Sequence, residues 1–253
     1  MDRQPQQNRQ AGHNVRQLAL KRRVKAISLF GMASLAIATT VTFHRLSVQL
    51  FQLAAGSTAP AQTDQSPPFL LYLYALYLYA LGGAIALVCV FGGLHWWKRA
   101  GHADQGAAAE VAIATLLRPL TTEGWQIEYG LWLGKGLGDA DVVCLSPQQR
   151  AFVIDVKSHR GTVVIDGKQL LRECGAEKKP FEKDFLQQTM KQALQIKAQK
   201  NWSFVTPILA FSAAQIALPE MALPDSKLQG VSKLKGVYVV EARQLVSLLR
   251  SLG

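Results

Sequence analysis

Acidic residues are nearly missing from the first 100 positions, where only Asp2 and Asp64 stand against ten lysines and arginines. Residues 101–253 carry 15 acids against 18 bases, so most of the net charge of +11 belongs to the front of the chain. Cysteine is scarce as well. Cys89, Cys144 and Cys174 are widely spaced, form no CxxC pattern and leave an odd count, which excludes a disulfide framework and a zinc knuckle. Charged residues make up 18% of the 253 positions and apolar ones 49%, a balance too lean in charge for a wholly soluble chain.

Charge is absent altogether from two long runs. Residues 26–43 form an apolar stretch of about 18 residues, just enough for a helix to cross a hydrocarbon core. Residues 69–97 form a longer one, which would tilt or extend into the interface with Trp96 and Trp97 at headgroup level and Lys98 and Arg99 beyond. Within it the sequence YLYAL occurs twice, placing Tyr72, Tyr74, Tyr77 and Tyr79 either on a face for a partner helix or in an interfacial belt. Seven basic residues precede the first run, Arg45 alone lies between the runs, and Lys98 and Arg99 follow the second, so the Lys and Arg bias places both termini in the cytoplasm. Residues 1–25 then read as a basic, disordered cytoplasmic leader and residues 44–68 as a short external loop rich in Ser, Thr, Gln and Pro. A cleaved signal peptide is the competing reading, opposed by the length of the basic leader.

The remaining residues, 101–253, form the working domain. Its first segment predicts a helix over 105–118 that ends at Pro119. Glu110 shares a face of that helix with Ile113, Ala114 and Leu117, and a carboxylate on an apolar stripe needs a partner or a metal. Three apolar runs follow, and the last two flank Ser146-Pro147-Gln148-Gln149, a good hairpin connection. A hairpin turning about Gln148 sets Asp141 across from Asp155, with Lys157 on the same face two residues on. Two carboxylates that close repel unless a cation lies between them, so the pairing suits a divalent metal. Val143 and Val153 share the acidic face, while Val142, Cys144, Phe152, Ile154 and Val156 point the other way. Apolar residues on both faces indicate a central strand covered on both sides, where three charges are costly. Of four Asp/Glu-x-Lys matches in the chain, only Asp155-Val156-Lys157 ends such a strand. Farther on come a strand at 161–165, a helix over 184–200 carrying Lys191, Lys197 and Lys200, two more strands and a closing helix, which together predict α/β architecture with a mixed sheet.

The run GDADVVCLSPQQRAFVIDVKSHRG resembles the core of the nuclease-related domain (NERD) family of the PD-(D/E)xK endonuclease-like superfamily, and the resemblance covers most of 105–200. It rests on a Gly-rich approach to a helical acid (Gly106 to Glu110), a G-x-x-D strand (Gly138, Asp141), an acid-x-Lys strand end (Asp155, Lys157), Gly161 four residues later, and a helical Gln. Gln188 fits that last position best, with Gln187 as the alternative register. The chain departs from the family in having Val142 where His often follows the first Asp, and Asp155 where Glu is usual. The resemblance implies a restriction-endonuclease-like core and metal-dependent cleavage of phosphodiester bonds, in DNA before RNA. Asp141 and Asp155 would hold Mg²⁺ or Mn²⁺, with Glu110 as a further direct or water-mediated ligand. Lys157 would orient a water and offset transition-state charge, and Gln188 would hold water or phosphate. The whole would be a nuclease domain tethered to the cytoplasmic membrane by a two-helix transmembrane anchor. The alternative is a catalytically silent tethered module that binds nucleic acid or serves as a scaffold; a net charge of only +3 over 101–253 leaves that class open, while the joint presence of Glu110, Asp141, Asp155 and Lys157 favours the enzyme.

Overall fold

The computed structural model describes residues 11–56, 69–134, 136–175, 177–217 and 230–253. They form two compact units. One comprises the described residues through Gln17 together with Ala103–Gly253, and the other is Leu18–His102, so the second unit is inserted in sequence within the first.

Helix α1 spans His13–Gly56 and α2 spans Phe69–Thr122. Both outrun the expected spans. Residues 13–25, expected to be disordered, and 44–56, expected as external loop, are helical, while the rest of those segments, 1–10 and 57–68, lies outside the described residues. Gly101 does not interrupt α2, and Pro119, expected to end it, sits inside it. Pro119 removes one backbone donor, yet the last turn persists because Leu120 is fully buried in the core. The helix stops after Thr122 at Gly124, whose φ of +85° suits glycine.

In the Leu18–His102 unit the helices meet through small residues. Ala33, Ala86 and Cys89 are buried together, a Cβ on Gly82 would strike Thr40, and one on Gly93 would strike the Phe30 ring. Tyr74 packs on Phe43 and Tyr79 on His44, whereas Tyr72 and Tyr77 face outward. Lys25 lies over the Trp96 ring and Arg22 donates to the Arg99 carbonyl at 2.9 Å. Both helices are long and apolar enough to cross a membrane, and only 11% and 17% of their most apolar windows are buried.

The other unit is built on an eight-stranded sheet: β1 (Gln126–Trp132), β2 (Asp139–Leu145), β3 (Ala151–Asp166), β4 (Gln169–Cys174), β5 (Glu177–Pro180), β6 (Val205–Ala217), β7 (Val231–Leu234) and β8 (Val237–Glu241). Its main order is β1-β2-β3-β6-β8-β7, with β4 and β5 forming an antiparallel arm on β3. β3, β6 and β8 run parallel and the other pairings are antiparallel, so the sheet is mixed as expected. Helix α3 (Phe185–Lys200) joins β5 to β6 and α4 (Ala242–Leu252) closes the chain.

The β2–β3 hairpin has the anticipated register. Val142 pairs with Ile154 and Val143 with Val153 around a turn in which the Gln149 N–H donates to the Ser146 carbonyl. Alternation then sorts the faces. Val142, Cys144, Phe152, Ile154 and Val156 pack with Ile113 and Leu117 of α2 and with Leu245 and Leu249 of α4. Val143 and Val153 pack with Ala193 and Ile196 of α3. Burial on both faces makes β3 a central strand, which determines how its charges must be satisfied.

Candidate active site

Continuing the hairpin register by one pair brings Asp141 across from Asp155, with Asp139 two residues before Asp141 on the same face. Asp141 turns its Oδ2 to the Val156 N–H, which donates at 2.7 Å. Asp155 is only 2% exposed. Its carboxylate accepts from Lys157 Nζ at 2.9 Å and from Thr189 Oγ1 of α3 at 3.3 Å. Lys157 is half-buried, with its ammonium 4.8 Å from the centre of the Phe185 ring. A buried lysine held between a carboxylate and an aromatic face has few rotamers left, so its charge is placed rather than merely present.

Glu110 approaches from α2. It is half-buried, and its Oε2 accepts from the Gly12 N–H at 3.0 Å. Burial raises its pKa, Asp139 and Asp155 raise it further, and the Gly12 N–H and Lys157 oppose them. The Asp141 carboxyl is pushed well above the usual carboxylate range, first by burial and then by Asp155 and Glu110. The Asp155 carboxyl is also raised, by burial, against the pull of Lys157 and Thr189. Asp139 and Asp155 thus act on Glu110, Asp155 and Glu110 act on Asp141, and Lys157 opposes the rise at Glu110, Asp141 and Asp155.

Among the described residues, no three His, Cys, Asp or Glu side chains gather closely enough to hold a metal ion. Asp141 and Asp155 stand across from each other on the hairpin, and Glu110 acts electrostatically on Asp141. Each of the three carboxylates accepts a hydrogen bond from a protein donor. The donor chemistry fits a hard divalent cation: the set is all oxygen, and two buried acceptors, Asp139 Oδ1 and Gln192 Oε1, have no hydrogen-bond partner among the described residues.

Helix α3 presents Thr189 and Gln192 toward the acids, and both are buried. Gln192 Nε2 reaches the Asp139 carbonyl at 3.4 Å. Gln188 is half-buried, its backbone N–H donating to the Asp184 carbonyl, and Gln187 is exposed. His159 packs among Phe181, Phe185 and Phe211, and its pKa is lowered by burial and then by Lys157 and Arg172. Sequence reasoning passed over Asp139, Thr189, Gln192, Gly12 and Asn14. The Asp-Ala-Asp spacing could have revealed Asp139, and the helical period shared with Ile196 could have revealed Thr189 and Gln192. Nothing in sequence pairs Asn14 with Asp139, 125 positions away, yet Asn14 Nδ2 donates to Asp139 Oδ2 at 2.6 Å.

Residues 105–212 match the family model described as the nuclease-related domain, so a NERD-domain region is present, and it holds Glu110, all three Asp residues of the site, Lys157, Thr189 and Gln192. Comparison with curated proteins returns no match, and neither does comparison with solved structures.

Proposed function

We propose that this chain is a membrane-anchored, divalent-metal-dependent nuclease that hydrolyses phosphodiester bonds, in DNA before RNA. The observation that carries the reading is the buried Asp155, paired with the half-buried Lys157 and facing Asp141 at the centre of the sheet, inside the region that matches the nuclease-related domain. So costly a group is poorly explained as structure alone, because an apolar trio would pack the same place at lower cost.

In this reading Asp141, Asp155 and Glu110 would hold Mg²⁺ or Mn²⁺, with Asp139 beside them. The cation, when bound, supplies Lewis acidity toward water and the phosphate. Lys157, steadied by Asp155 and Phe185, places a positive charge where negative charge grows on a phosphoryl oxygen, and orients the attacking water. Thr189 keeps Asp155 in its rotamer, and the Gln188 and Gln192 amides are suited to holding water or phosphate. Beside Phe181 and Phe185 lies a cavity of about 240 Å³ whose lining includes Lys168, Lys183 and Lys235, which supports a phosphate-bearing substrate.

The membrane part of the proposal assigns 26–43 and 69–97 to spans, 1–25 and 101–253 to the cytoplasmic side, and 44–68 to the outside. Its support is the outward-facing apolar surface of both helices and the Lys and Arg asymmetry. A second reading, a silent tethered module, is favoured by one observation: among the described residues, no three His, Cys, Asp or Glu side chains group closely enough to hold a metal ion. Incubating the full chain in nanodiscs with supercoiled plasmid, single-stranded DNA or RNA, with Mg²⁺, Mn²⁺ or EDTA, separates the two. Metal-dependent cutting lost in folded Asp155→Ala and Lys157→Ala variants is the expected result; a folded wild type that binds nucleic acid and cuts none of these would select the silent module.

A further inference from the structure

We infer that the first turn of α1 is a working part of the acidic site, with Gly12 and Asn14 as positioning residues for Glu110 and Asp139. The inference rests on the nuclease reading and deepens it: the site would be complete only with residues 11–17 docked on the domain to which they belong.

The contacts are specific. The Gly12 N–H donates to Glu110 Oε2 at 3.0 Å, and Asn14 Nδ2 donates to Asp139 Oδ2 at 2.6 Å. The turn itself is closed by the Arg16 N–H on the Gly12 carbonyl at 2.9 Å. The fit leaves no room for a larger residue at its start. Gly12 is buried with φ +75°, and a Cβ there would lie 2.9 Å from the Ala107 carbonyl oxygen and 3.4 Å from a Val111 methyl. Val15 lies over Gly106, and the Asn14 amide lies over Gly130, which also has positive φ. Three glycines, two of them far along the chain, thus accommodate one short N-terminal segment.

The chemistry of the donors distinguishes positioning from simple charge neutralisation. The leader is rich in Arg and Lys, yet among the described residues the groups of the leader shown to reach these two acids are a backbone N–H and an amide, both neutral. A cationic side chain in that place would compete with a metal for the carboxylates. A neutral donor on one oxygen instead orients the other, and Asp139 Oδ1 is left buried with no hydrogen-bond partner among the described residues. Since the same helix continues into the apolar run, the two donors are covalently continuous with the segment proposed to cross the membrane. A fragment that begins at residue 101 lacks both donors.

The test uses the full chain in nanodiscs as wild type, Asn14→Ala, Gly12→Ala and, as a control on the same turn, Gln17→Ala. Mn²⁺ affinity is read by electron paramagnetic resonance, cleavage as kcat and KM separately, and folding by melting temperature. Asn14→Ala should weaken Mn²⁺ binding and lower kcat by about tenfold, the effect typical of a lost outer-shell bond, with KM and melting temperature held. Gly12→Ala should do at least as much, and Gln17→Ala nothing. Wild-type values for Mn²⁺ binding and kcat in both Asn14→Ala and Gly12→Ala would overturn the inference while leaving the nuclease reading intact. A wild type that binds Mn²⁺ without cutting removes the nuclease reading alone, because the Mn²⁺ affinities still decide the role of Asn14. A wild type that does neither removes both.

Discussion

The two units of this protein solve opposite problems with their apolar residues. In the Leu18–His102 unit, large apolar side chains such as Leu35, Val88 and Phe91 are exposed, and what is buried between the helices is small: Ala33, Ala86 and Cys89. In the sheet unit the order is reversed, with Phe152, Ile154, Ile208 and Leu249 buried on one face of the sheet and Asp155 and Lys157 held on the other face of β3. Apolar content by itself therefore says little about solubility. Which side the apolar atoms face tells whether the environment or the protein's own core must receive them.

The contrast can be broken hardest at its charged centre. Lys157→Ala should abolish cleavage, and it should also destabilise the domain, because Asp155 would keep its burial and lose its counter-charge; assays of cutting and of melting temperature read the two effects separately. Next in size is Phe152→Ala, which empties a fully buried ring position against Trp125 and should cost about 3–5 kcal/mol in chemical denaturation. Its counterpart in the other unit is Val88→Arg, on a side chain 73% exposed. In water such a change costs almost nothing. In a bilayer it should cost about 2.5–3.5 kcal/mol of insertion free energy, read by glycosylation mapping of the inserted fraction.

A smaller effect concerns pH. Asp141, Asp155 and Glu110 have folded pKa values above their ordinary 3.8 and 4.5, so the folded domain binds protons more readily than the unfolded chain. Stability should then fall as pH rises from about 4 toward 7, and added Mg²⁺ should flatten that slope by favouring the ionised carboxylates. Melting temperatures in EDTA and in Mg²⁺ across that range give the comparison; a slope of opposite sign in EDTA would refute the account. The smallest expected effect is chemical: burial pushes the Cys144 thiol up to about 12, so it should resist alkylation in the folded protein, while the partly exposed Cys174 reacts first.

Much of the site was legible because it is local. Pro147 and Gln148 fix where the β2–β3 hairpin turns, and the alternation of Val142 to Leu145 with Ala151 to Val156 fixes its register, so the pairing of Asp141 with Asp155 followed from a few residues of sequence. The helix ends were not legible. Gly101 and Pro119 carry breaker chemistry, but the burial of Leu120 outweighs one lost hydrogen bond. The helicity of 13–25 was hidden for a related reason, since basic residues on a helix look the same as basic residues in a disordered leader.

Sequence alone determined the two apolar runs, the mixed α/β plan and the face on which Asp141, Asp155 and Lys157 stand, because charge, periodicity and turn chemistry act over a few residues. Only the tertiary structure decided that Asp139, Thr189 and Gln192 join that face, that each carboxylate of the expected metal group is engaged by a protein donor, and that Gly12 and Asn14 reach acids some hundred positions away. Those contacts depend on how residues 11–17, residues 103–122 and α3 pack within the sheet unit to which they belong, and many weak apolar contacts that leave no local pattern to read set that packing.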